Sequence, residues 1–218
     1  MENKVVMRPE SELIATLRES KLKQAMTRVE EGFETILEGL SMGFGLDILD
    51  ANLADTPARV ARTYAEIFSG LRDTESQLDD VLMKAFPSES EGMILMRGIE
   101  VFSMCPHHFL PVEMKVHIAY IPGGGSEGRV LGLSKIARVA EILSKRPVLQ
   151  EQFTSDVAKT FMKLPGCQGA ACFVEGKHFC MAIRGVKKPD AVTITSSLQG
   201  IFETDDAARY EFLSLVRK

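Results

Sequence analysis

Five side chains able to hold a metal or move a proton fall in two short runs of this chain: Cys105, His107 and His108 in "MCPHHF", and His178 and Cys180 in "KHFC". With only four cysteines and four histidines in the whole sequence, the two runs concentrate its scarcest reactive groups. Thiolate sulfur and imidazole nitrogen are the donors zinc prefers in a tetrahedral shell. A structural site closes that shell with four protein groups, whereas a catalytic site supplies three and leaves a position for water. Five candidates are one more than a closed site needs. Adjacent side chains in a turn or strand point apart, so His107 and His108 are not expected to reach the same ion. Two thiolates and one imidazole would leave histidines over for proton transfer beside a bound water whose pKa falls to ~7. The same residues also allow a structural zinc, or no metal and a pair of half-buried hairpin histidines. Cys167 and Cys172 read as small buried hydrophobes, and His117 in "KVHIAY" as a sheet-face histidine.

The elements that must position these groups are legible from periodicity. Residues 1 to about 20 read as a polar arm with a short helix in "ESELIATLRESK". Leu22, Met26, Val29, Phe33, Ile36, Leu37 and Leu40 recur three or four apart, predicting an amphipathic helix with one buried face, closed by glycines. "DTPARVARTYAEIFSGL" predicts another helix, with Asp55 or Thr56 as cap, Pro57 in the first turn and Gly70 as stop. Residues 71 to 92 read as a loop containing a short helix. From residue 93 the pattern changes to β-branched alternation: "MILMRGIEVFSM" and "PVEMKVHIAYIP" predict two antiparallel strands joined across "CPHHFL". After the glycine-rich loop "GGGSEGR", helices are expected in "LSKIARVAEILSK", with Ser134 as cap, and in "LQEQFTSDVAKTFMKL", stopped by Pro165 and Gly166. "GAACFVEGKHFCMAIRGV" predicts two short strands turning at Glu175 and Gly176. "AVTITSSLQGIF" predicts a last strand, and "DDAARYEFLSLVRK" a last helix. The order implies an α+β fold, an antiparallel sheet with helices packed on one face, preceded by an N-terminal helical segment. Residues 1–54 are expected to form an N-terminal arm and helix, and residues 55–218 the main domain.

Composition bounds the function. With 45% hydrophobic and 26% charged residues, the 218-residue chain can bury a full core. No run is long and apolar enough for a membrane span, and the N-terminus lacks a signal-peptide core, so a cytoplasmic protein is expected. A net charge of −4 argues against a general nucleic-acid binder. It leaves room for a small anion in a local basic pocket.

"CPHH", "LGLSKIAR", "RPVLQEQ", "KHFCMAIRG" and "TSSLQGIF", in this order, give the chain a resemblance to the GTP cyclohydrolase I family. The resemblance runs from "TPARVARTYAEIFSGL" to the C-terminus. It implies the tunnelling fold, assembled as a homodecamer with active sites between subunits. It also implies hydrolysis of GTP to 7,8-dihydroneopterin triphosphate and formate, the first step of folate and tetrahydropterin synthesis. Position by position, it makes Cys105, His108 and Cys180 the ligands of Zn2+ and leaves His107 and His178 for proton transfer. His178 would protonate N7 of guanine, and His107 with Ser134 would assist ribose opening and the Amadori rearrangement. Arg59, Lys135, Arg138 and Arg184 match phosphate-binding positions, and Glu151 beside Gln150 the guanine-recognition position. Pro106 stands where the family usually has glutamate, which removes a carboxylate beside the ligands. The alternative is a tunnelling-fold protein that binds zinc and a purine or pterin without full turnover, or a paralogue acting on a related purine.

Overall fold

The computed structural model describes residues 10–125 and 128–217, with side chains from residue 17 onward. The chain divides into two compact units, one through Ile67 and one from Phe68 to the C-terminus. In the first unit, helix α1 (Glu10–Phe44) is continuous for 35 residues, so the short helix expected in the arm is its first turns. The earlier arm residues lie outside the described residues. Leu22, Met26, Val29, Phe33 and Leu37 form a half-buried stripe, while Ile36 and Leu40 are exposed. The face predicted to be buried is therefore only partly covered. Helix α2 (Thr56–Ile67) starts where Thr56 and Pro57 place it, and Arg59 N donates to the Asp55 carbonyl at 3.0 Å.

The second unit is built on a four-stranded antiparallel sheet in the order β2-β3-β5-β6, with β2 Ile94–Met104, β3 Pro111–Ile121, β5 Gly169–His178 and β6 Thr193–Gly200. A two-residue strand β1 (Phe86–Pro87) pairs with β4 (Arg129–Val130) beside it. Along β3, Val112, Met114, Val116, Ile118 and Tyr120 alternate onto one face. Helices α4 (Leu133–Ser144) and α5 (Gln150–Phe161) cover that face with Ile136, Val139, Phe153, Val157 and Phe161. A shorter helix, α3 (Thr74–Leu82), adds Leu78, Val81 and Leu82 to this core. The opposite parity of β3 carries Ala119 and Ile121, which meet Phe202 of α7 (Ile201–Thr204) and Phe212 of α8 (Asp206–Val216). In β2 the register shifts between Met96 and Ile99, where Gly98 takes φ +70°, a conformation a side chain would strain.

Two local expectations are corrected. Glu175 and Gly176 form no turn: β5 runs straight through them, with Gly176 opposite both Met114 and Thr193. Ser134 is not a cap; Gly132 precedes α4 and no side chain caps it. Phe153 lies at the centre of the core and is fully buried. Phe153→Ala should cost ~3–5 kcal/mol through lost burial and the cavity left behind, read as a lower denaturant midpoint at unchanged slope.

Candidate metal centre and proton-transfer site

Strand register brings the two reactive runs together. Met104, the last residue of β2, pairs with Pro111, and Val112 pairs with His178, the last residue of β5. The residues that follow β2 and β5 therefore emerge at one end of the sheet, on either side of the start of β3. In the connecting turn, Phe109 N donates to the Cys105 carbonyl at 2.9 Å and Cys105 N to that of Leu110 at 2.9 Å. Pro106 lies inside this turn, where its fixed φ is tolerated and no donor is needed. After β5 the chain folds at once into a helical turn, α6 (Phe179–Ala182), and Cys180 sits on that turn rather than on a strand.

The result is a compact donor set. Ligand atoms of Cys105, His108 and Cys180 all lie within 4.8 Å of one another. The two Sγ atoms are 3.8 Å apart, and Cys105 Sγ is 4.0 Å from His108 Nδ1. Two thiolates bonded to one zinc at ~2.3 Å in tetrahedral geometry would be separated by about 3.8 Å, so the thiol pair fits such an ion without rearrangement. Cys105 is buried, Cys180 half-buried and His108 exposed, which leaves the shell covered on one side and open on the other. Burial first, then the adjacent Cys105, pushes the Cys180 thiol up, with Arg184 acting in the opposite direction.

The remaining residues surround this group unevenly. His107 is exposed, with Nδ1 3.9 Å from Cys105 Sγ. His178 is not a member of that group, and its Nε2 lies 2.9 Å from Gln150 Oε1. Burial lowers the pKa of His178, and the negative charge of Glu151 opposes that shift, which brings Glu151 into its surroundings. Arg184 Nη1 lies 2.9 Å from His108 Nε2. A guanidinium only donates, so this nitrogen accepts. An imidazole ligating through Nδ1 carries its hydrogen on Nε2, so ligation and the Arg184 contact exclude each other.

Lys135 and Arg138 line a different part of this unit, a polar pocket of about 360 Å³ shared with Lys84, Lys145, Asp80 and Glu141. None of the thiol or imidazole donors lines it. Ser134 is exposed on the first turn of α4. Arg59 belongs to the first unit, where its Nη2 pairs with Asp55 at 3.3 Å. Lys84 and Lys145 carried no sequence signal beyond being surface lysines. Of the groups set aside in the sequence, Cys172 is fully buried and its thiol is pushed far up by burial. Cys167 donates to the Gly169 carbonyl at 3.4 Å. His117 is buried beside Phe173, with its pKa lowered by burial against the pull of Glu175.

A four-stranded antiparallel sheet with two main helices on one face, and a two-thiol, one-imidazole group at its end that could hold a metal ion, define an α+β protein with a candidate metal site. The model of the family described as GTP cyclohydrolase I matches residues 29–217. The chain is 44% identical over 189 residues to GTP cyclohydrolase 1 of Caldanaerobacter subterraneus, covering 87% of this chain and 95% of that protein. It is 42% identical over 192 residues to the Brevibacillus brevis protein of the same name, covering 88% and 97%. To that of Corynebacterium glutamicum it is 43% identical over 188 residues, covering 86% and 93%. The chain belongs to the GTP cyclohydrolase I family.

Proposed function

We infer that this enzyme converts GTP to 7,8-dihydroneopterin triphosphate and formate. The observation that carries the reading is the open Cys105, His108 and Cys180 group at the same sheet end as a histidine that is not part of it. The donor set and the thiol spacing suit zinc. Bound there, zinc would supply Lewis acidity and an acidified water.

The rest of the chemistry falls to the chain's own groups. His178 donates a proton to N7 of guanine, which makes C8 electrophilic and ready for hydrolytic ring opening. Glu151, exposed on the first turn of α5, accepts from the adjacent N–H donors of the guanine edge. His107 and Ser134 move protons during ribose opening, the Amadori rearrangement and pterin closure. Arg184, Lys135, Arg138 and Arg59 hold the triphosphate, whose charge of about −4 an acidic chain can accept only where cations gather.

Lys135 and Arg138 line a pocket without any of the candidate metal donors, which supports a homo-oligomer whose sites are completed between subunits; the decamer is the assembly that the family resemblance implies. The test is incubation of zinc-loaded protein with GTP, following formate and oxidised pterin fluorescence in one sample. Both signals should rise together. Bound zinc and GTP with neither product would overturn the reading.

A further inference from the structure

Gln150 stands at a position expected to touch guanine, yet its amide is fully engaged inside the protein. The residue is 3% exposed. Its Nε2 lies 2.9 Å from the Thr193 carbonyl, 3.2 Å from the Val174 carbonyl and 3.1 Å from Thr195 Oγ1. Carbonyl oxygens only accept, so hydrogen-bonding chemistry assigns the amide nitrogen to that side and leaves Oε1 facing His178 Nε2 at 2.9 Å. An amide oxygen in turn only accepts, so His178 Nε2 must carry the hydrogen. With two hydrogens already facing three acceptors, the amide has no donor left for a substrate.

The surroundings hold this arrangement in place. Thr154 Oγ1 donates to the Gln150 carbonyl at 2.7 Å and lies 2.6 Å from Thr195 Oγ1. A Cβ at Gly176 would come within 2.0 Å of Gln150 Oε1. The missing side chain at residue 176 is what admits the amide between α5 and the sheet.

We propose that Gln150 is a positioning residue that makes Nε2 the fixed hydrogen-bond donor of His178 and leaves Nδ1 as the nitrogen that takes up a proton and passes it to N7 of the purine. This rests on the reading of His178 as a proton-transfer group. Gln150 then acts on turnover through His178, and guanine affinity lies with Glu151.

The first arm of the test needs no variant. In uniformly 15N-labelled, zinc-loaded protein at about pH 8, where a free imidazole is mostly neutral, His178 should show the Nε2–H tautomer. Finding Nδ1–H there would overturn the proposal. In the second arm, Gln150→Met keeps length and removes the amide. Zinc content and KM for GTP should hold within about twofold, while kcat falls about 10- to 100-fold, by analogy with partners that orient metal-ligating histidines, and the His178 tautomer signal broadens or shifts. A rise in KM at unchanged kcat, with the His178 signal unmoved, would overturn the proposal alone. Full turnover by His178→Ala would overturn both it and the reading of the histidine on which it rests.

Discussion

Cys180→Ser should lose bound metal and turnover together. Serine is nearly isosteric with cysteine, but its hydroxyl does not ionise near neutral pH and is a poor zinc ligand. Only Cys105 and His108 would then remain of the three-donor group. Cys180 is half-buried on the short turn α6, outside the fully buried core, so the fold should survive the change. The expected result is a near-native circular dichroism spectrum, zinc content well below one per chain, and activity lower by more than ~10²-fold, because two remaining donors cannot hold the ion that supplies the Lewis acid. A variant that kept stoichiometric zinc would show that the shell is built differently.

His178→Ala should separate the two functions that Cys180→Ser removes together. The imidazole of His178 is bonded to Gln150 and is not a member of the donor group, so its loss should leave zinc content at the wild-type level. Turnover should fall by ~10²–10⁴, the range for removal of a positioned general acid. Formate release is the step to follow, since N7 protonation precedes it, and KM for GTP should change little because Glu151 and the cations are untouched. Unchanged formate release would assign the proton to another group.

The helices and the first hairpin were legible because each is written locally. Pro57 opens α2, though the helix ends at Ile67, ahead of Gly70; Pro165 and Gly166 follow α5, apolar spacing marks α4, and alternation marks β2 and β3. The two halves of the candidate metal site, 75 residues apart, could be joined in the sequence by donor chemistry, but which three of the five groups belong together came only from resemblance, because their meeting depends on β3 pairing with both β2 and β5. Gly176 was misread for a physical reason. Glycine after glutamate favours a turn locally, but here it answers a long-range need for space beside Gln150. Similarly, Gln150 in "LQEQ" offers no sign that its side chain turns inward while that of Glu151 turns out. That distinction is made by the carbonyls of β5 and β6, which no local pattern announces.

The sheet has two open sides. β2 and β6 each pair with a single neighbour among the described residues, and each shows a large apolar side chain to solvent, Phe102 at 63% exposure and Ile194 at 59%. The bulge at Gly98 disrupts only part of β2, and the six residues from Ile99 to Met104 form a regular ladder whose outer row is met at its end, where the Met104 carbonyl accepts from Val148 N. Such a strand is a template for adding another. In isolation the chain therefore carries an aggregation hazard at both edges of this sheet, so partial unfolding at high protein concentration should end in precipitate more readily than in a soluble single chain.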